Sequence, residues 1–128
     1  MRILLDTNVL IRALIDPGLL GATTRTALED PDNEVLFSAA SIWEIAIKAT
    51  LGRADFQVPP ARILEAAKDS GFEELPVRSS AALLVATLPP IHRDPFDRLI
   101  VAQAISEPAR LFTTDASLAP YSELVVKV

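Results

Sequence analysis

Arg2-Ile3-Leu4-Leu5-Asp6-Thr7-Asn8-Val9-Leu10-Ile11-Arg12-Ala13-Leu14-Ile15 is the stretch whose reading decides the fold. A short apolar run, Arg2 to Leu5, stops at an acid and reads as a buried strand. From Asn8 to Ile15 the apolar residues fall at helical spacing, so a helix follows at once. Downstream, the Asp16-Pro17-Gly18 break leads to a second helix from about Leu20 to Glu29, and Asp30-Pro31-Asp32-Asn33 turns the chain into a second buried strand at Val35 to Phe37. Ser38 or Ser41 is placed to cap a helix carrying Ile42, Trp43, Ile45, Ala46, Ile47 and Ala49 that ends near Leu51-Gly52. Pro59-Pro60 starts a helix from about Ala61 to Lys68, and after Gly71 a weak strand is expected at Phe72 to Leu75. Another helix runs from Ser79 to about Leu88, and His92-Arg93-Asp94-Pro95 is a loop into a helix over Pro95 to Ile105. Leu111-Phe112-Thr113 is a strand running towards Asp115, and Leu124 to Val128 supplies the last. This alternation of strands and helices predicts an α/β fold with a central, mainly parallel sheet covered on both faces.

The chain of 128 residues has the size of one domain, and no repeat, low-complexity tract or linker divides it, so residues 1–128 are expected to form a single unit. Half of the residues are hydrophobic and 23% are charged, enough apolar material for a real core. With no cysteine, disulfides, thiolate metal sites and cysteine nucleophiles are excluded, and a single histidine, His92, excludes a His-rich zinc site. Any metal must therefore sit on oxygen, which favours magnesium or manganese. The first residues lack the features of a signal peptide and no stretch is long enough to span a bilayer, so a cytoplasmic location without membrane attachment is expected. A formal charge of −5 gives no global attraction for nucleic acid.

Four acids are placed to meet. Ligands of open α/β sheets bind beyond the carboxyl ends of the strands. Asp6 and Asp115 each follow a strand, and both emerge at one sheet edge if those strands are parallel neighbours. Glu44 and Asp97 lie early in helices returning to that edge. Clustered carboxylates raise each other's pKa and oppose folding unless a cation compensates. One or two divalent ions would then hold phosphate oxygens and activate a water. Each acid also has a simpler reading. Asp6 can cap the next helix through the amide of Asn8 or Val9, Glu44 can form an i,i+4 pair with Lys48, and Asp97 favours the helix dipole. Asp94 reads as the N-cap of its helix and Asp115 as a turn or cap residue. The joint placement carries the functional reading.

These segments resemble the PIN-domain ribonucleases, and within them the VapC-type toxins of toxin and antitoxin pairs. The resemblance rests on Leu4-Leu5-Asp6-Thr7-Asn8, Ser41-Ile42-Trp43-Glu44-Ile45, Asp94-Pro95-Phe96-Asp97-Arg98-Leu99-Ile100-Val101-Ala102-Gln103-Ala104 and Leu111-Phe112-Thr113-Thr114-Asp115, in order along essentially the whole chain. It implies a three-layer α/β/α fold and an endoribonuclease using Mg2+ or Mn2+ to leave 5′-phosphate and 3′-hydroxyl ends. Asp6, Glu44, Asp97 and Asp115 are then the catalytic metal ligands, with Thr7, Asn8 and Thr113 in support. The resemblance further implies a homodimer and a cognate antitoxin that silences the cleft, often with an arginine. Where some relatives carry a further acid after the fourth motif, this chain has Ala116-Ser117-Leu118.

RNA requires positive contacts, for which Arg98, Arg93 and Lys48 are the main candidates beside Arg12, Arg53 and Arg110. Trp43, Phe37, Phe56, Phe72, Phe96, Phe112 and Tyr121 are able to stack on bases in principle, although most sit in apolar runs and read as core. His92 is a possible RNA contact or proton donor. Two other classes compete. In an aspartyl-phosphate enzyme Asp6 would be the nucleophile, but Asn8 stands where a dehalogenase-like phosphatase needs its second Asp. A non-catalytic PIN-like module would bind RNA or a partner without cutting, against which stands the presence of all four acids. The identity of the RNA is not written in the sequence, because recognition rests on loop shape.

Overall fold

The computed structural model describes residues 1–52 and 58–128. Strand β1 (Arg2–Leu5) runs into helix α1 (Thr7–Ile15), followed by a 3-10 turn and α2 (Ala22–Glu29). Next come β2 (Glu34–Ser38), α3 (Ala39–Thr50), α4 (Pro60–Asp69) and β3 (Glu73–Leu75). The chain closes with α5 (Ser79–Leu84), a 3-10 segment at Val85–Thr87, α6 (Pro95–Ser106), β4 (Arg110–Thr113), a 3-10 helix at Ala116–Tyr121 and β5 (Val125–Lys127).

The five strands form one sheet in the order β3-β2-β1-β4-β5, and every pairing is parallel. The sequence suggested a mainly parallel sheet; among the described residues it is wholly so. Because side chains alternate across a strand, each strand feeds two cores. Ile3, Leu5, Val35, Phe37 and Phe112 pack on one face with Val9 and Leu10 of α1, Ile45 of α3 and Ile63 and Ala67 of α4. Leu4, Leu36 and Leu111 pack on the other with Ile100, Val101 and Ala104 of α6 and with Leu118. This is the three-layer arrangement, and it explains why the central strands read as continuous apolar runs.

Local chemistry sets the ends of the elements. Ser38, rather than Ser41, caps α3 by accepting from the Ala40 amide at 3.0 Å. Gly71 closes α4 at φ +83°, where the Gly71 and Phe72 amides donate to the Lys68 and Ala67 carbonyls, the paired bonds of a Schellman ending. The helix expected from Ser79 to Leu88 tightens into 3-10 geometry at Val85. No helix among the described residues is long and apolar enough to cross a membrane.

Candidate metal centre

The strand order reverses at β1. The chain proceeds outward through β2 and β3 on one side, and β4 and β5 fill the other. Such a switch point opens a crevice beyond the carboxyl ends of the central strands, here Leu5 of β1 and Phe112 of β4, which lie in register. A cleft of about 90 Å³ at this end is lined by Asp6, Thr7, Asn8, Glu44, Lys48, Asp94 and Asp97. Among the described residues, four carboxylates and a single lysine therefore share it.

Asp6 leaves β1 with its backbone amide bonded to the Phe112 carbonyl at 3.0 Å, which fixes the exit direction. One side-chain oxygen accepts from the Val9 amide at 2.8 Å, so Asp6 does cap α1. The other accepts from the Thr113 hydroxyl. Burial pushes the Asp6 pKa up, the bonds from Thr113, Val9 and Thr114 pull it down, and the charge of Glu44 adds to the rise. Thr113 also accepts from the Asp115 amide at 3.0 Å, so this one hydroxyl ties the ends of β1 and β4 together.

Glu44 lies in the second turn of α3, on the face that includes the buried residues Ala40, Ser41 and Ile45. Its Oε1 accepts from Thr7 Oγ1 at 2.7 Å, and its Oε2 meets Lys48 Nζ at 2.6 Å. Thr7 Oγ1 also lies 2.9 Å from Ser41 Oγ. An ordinary surface ion pair at i,i+4 was one expectation for Glu44 and Lys48. Instead Glu44 is only 5% exposed and both residues line the cleft. Ser41, read in the sequence as a candidate cap and as part of a motif, is a buried member of this network, signalled by its i,i+3 spacing from Glu44.

Asp97 stands in the first turn of α6, whose N-cap Asp94 accepts from the Phe96 and Asp97 amides. Among the described residues no group donates a hydrogen bond to the Asp97 carboxylate; the nearest partner is His92 Nε2 at 3.6 Å. Its pKa is pushed up to about 7, first by burial and then by the charge of Asp94, with Glu44 and Asp6 contributing and His92 opposing. Among the described residues, negative charge is thus concentrated here, and it is this crowding and burial that raise the Asp97 pKa.

Asp115 follows β4 as expected but is not among the residues lining the cleft. Its Oδ1 accepts from the Ser117 amide at 2.9 Å and the Ser117 hydroxyl at 2.6 Å, capping the 3-10 helix. These bonds, with His92 behind them, hold its pKa below the usual carboxylate value. Oδ2 accepts from His92 Nε2 at 3.0 Å, and ligand atoms of His92, Asp97 and Asp115 lie within 4.8 Å of one another. Three of the four acids named from sequence thus share the cleft with Asp94, and the fourth reaches it through His92.

The cationic candidates separate. Lys48 lines the cleft, and Arg93 is exposed in the loop before α6. Arg98 does not support the expectation of substrate binding, because its guanidinium donates to the Pro89, Val85 and Leu88 carbonyls and to the Tyr121 hydroxyl, holding the loop that precedes α6. Arg110 begins β4, at the end remote from the cleft. Arg12 sits in the last turn of α1, while Arg53 and Phe56 fall outside the described residues. Phe37 and Phe112 are core, but Trp43 is 60% exposed and meets Phe96 edge-on with ring centroids 5.0 Å apart.

Residues 3–124 match the family model of the PIN domain, and the chain belongs to that family. The fold is shared with solved structures across nearly the full length of each chain. VapBC2 from Rickettsia felis, bound to a DNA fragment from its promoter, aligns at TM-score 0.75 with 17% identity, covering 99% of this chain and 98% of the other. FitAcB from Neisseria gonorrhoeae aligns at TM-score 0.63 with 20% identity, over 98% and 96%. FitAB bound to the IR36 DNA fragment aligns at 0.65 with 22% identity, over 98% and 94%. No curated protein sequence matches the chain significantly.

Proposed function

We propose that the chain, as one domain of residues 1–128, is a VapC-like toxin: a metal-dependent endoribonuclease that hydrolyses RNA to 5′-phosphate and 3′-hydroxyl ends. The observation that carries this reading is the convergence of Asp6, Glu44 and Asp97 at the switch point, with the Asp97 carboxylate half-buried and, among the described residues, without a hydrogen-bond donor. Four carboxylates in one cleft fit one or two hard divalent ions, Mg2+ or Mn2+. Asp6, Glu44 and Asp97 would hold the metal, with Asp115 joining from the edge. When bound, the ion supplies the positive charge that steadies phosphate oxygens and acidifies a water for attack on phosphorus.

The protein's part is to hold the acids ready. The Val9 amide and the Thr113 hydroxyl orient Asp6 in advance, and Thr7 and Lys48 do the same for Glu44. Asp97 is the adaptable member: with its pKa raised to about 7, it would give up its proton on holding a cation. With both oxygens occupied and 5% exposure, Asp6 is poorly placed to act as a phosphoryl acceptor, which disfavours an aspartyl-phosphate reaction. Asn8 and Thr113 flank the acids, and Lys48 and Arg93 are the proposed contacts for RNA phosphates.

Similarity of fold to the VapBC2 and FitAB complexes supports a cognate antitoxin as partner. The acidic cleft suits a basic side chain from such a protein. A homodimer in the cytoplasm belongs to the same proposal and rests on the family resemblance.

The test is cleavage of an end-labelled RNA by the purified protein. Cutting is expected with Mn2+, none with EDTA, and none by Asp6→Asn that retains its fold. Cleavage that survives EDTA, or full activity in Asp6→Asn, would overturn the proposal.

A further inference from the structure

His92 sits where three segments meet, and its backbone amide and both ring nitrogens have defined partners. The backbone amide donates to the Tyr121 hydroxyl at 2.8 Å, and that hydroxyl also accepts from Arg98 Nη1 at 3.0 Å. Ring Nδ1 accepts from the Asp94 amide at 3.2 Å. An amide can only donate, so Nδ1 carries a lone pair and the ring proton of the neutral imidazole lies on Nε2. That Nε2 faces Asp115 Oδ2 at 3.0 Å and Asp97 Oδ2 at 3.6 Å. A protonated Nε2 has no lone pair to offer a metal. The fixed tautomer makes His92 a donor to the carboxylates, although its ring lies close enough to them to be counted among possible ligands.

We infer that His92 is a positioning residue: its Nε2–H draws Asp115 against Asp97 and thereby brings the fourth acid, anchored on a different segment, to the edge of the metal site. Without this donor, Asp115 keeps, among the described residues, only the Ser117 bonds, which hold it as the cap of the 3-10 helix, and its charge is opposed by that of Asp97. The Arg98, Tyr121 and Asp94 contacts give the imidazole its orientation, so the adjacent Asp97 and Arg98 serve the same site from opposite sides, one in the cleft and one in the scaffold behind it. Groups that orient metal-binding residues in this manner typically change metal affinity about 10- to 100-fold when removed.

The inference rests on the reading that Asp115 contributes to a metal site, and Mn2+ affinity measured by calorimetry at fixed pH separates the two. His92→Asn keeps an acceptor at the position of Nδ1 but places no donor near Asp115; His92→Gln can place an amide N–H near the position of Nε2. We expect His92→Asn to weaken Mn2+ binding about 10-fold or more and His92→Gln to recover most of it. In an Asp115→Asn background His92→Asn is expected to have no further effect, because the residue it positions is gone. A purely structural role would instead lower the melting temperature of the metal-free protein while leaving the Mn2+ affinity of the folded protein unchanged, and that result overturns the inference. Additive losses in the double variant overturn it equally. If Asp115→Asn alone binds Mn2+ like the wild type, the assignment of Asp115 fails and the role of His92 fails with it. If Asp115→Asn weakens binding and His92→Asn does not, only the inference about His92 is refuted.

Discussion

Replacing Asp97 by Asn should stabilise the metal-free protein at neutral pH, even though it removes a residue proposed to bind the metal. The folded-state pKa of Asp97 is about 7, against 3.8 for an unperturbed carboxyl, and its side chain is 23% exposed. Because the folded value is raised, the folded protein holds this proton more tightly than the unfolded chain between those two values. Stability from this group is therefore fully present below about pH 4, falls as pH rises, and stops falling above about pH 7. At about 1.4 kcal/mol per pH unit, ionising Asp97 costs the metal-free fold at most about 4 kcal/mol at pH 8. Asn is close in shape and carries no charge, so Asp97→Asn should recover part of that cost at pH 8 and almost none at pH 4. Urea denaturation of both proteins in EDTA across this range measures the difference directly. Excess Mn2+ should shift the balance towards the wild type: a ligand at 100 times its dissociation constant stabilises the wild type by about 2.7 kcal/mol, and the variant should gain less. A variant that is less stable than wild type in EDTA at pH 8, or a difference that does not change with pH, would refute the reasoning.

Other substitutions probe the supports. Thr113→Val keeps shape but deprives buried Asp6 of its hydroxyl donor and the Asp115 amide of its acceptor; a loss of about 1–3 kcal/mol in denaturation and a fall in RNA cleavage are expected. Arg98→Met should lower stability by about 1–3 kcal/mol through the freed carbonyls, with little change in RNA affinity; a filter-binding constant that weakens tenfold while the melting temperature holds would restore the substrate-binding role. Ser38→Ala removes the cap of α3 and leaves buried Gln103 Oε1 without its donor, so a cost of about 1–2 kcal/mol should appear in a thermal melt.

Much of this architecture can be read from the chain because local pattern and tertiary role coincide. The central strands β1, β2 and β4 are buried on both faces and so are written as unbroken apolar runs, with Asp6 and Asp115 marking the ends of β1 and β4. The edge strands were less legible. In β3, Glu73 and Glu74 are exposed, and only three residues pair, so little apolar signal remains. Asp6, Asp97 and Asp115 were nameable from sequence because a helix N-terminus or a strand end places them without reference to the rest of the fold. What escaped depends on the direction of a flexible side chain. Arg98 adjoins Asp97 in sequence, yet four acceptors from elsewhere turn its guanidinium towards the loop before α6. Trp43 adjoins Glu44, and the helical offset that buries one exposes the other. His92 was visible as a lone histidine in a loop, but its partners lie 23 and 29 positions away in Asp115 and Tyr121, beyond any local pattern.

The central claim is that carboxylates from separate segments jointly hold a divalent cation, and anomalous diffraction from crystals grown with Mn2+ tests it most directly. A peak is expected in the cleft beyond β1 and β4, within bonding distance of both Asp6 and Asp97. A well-ordered cleft without such a peak in Mn2+-saturated crystals, or manganese bound only at other surface acids, would contradict the account.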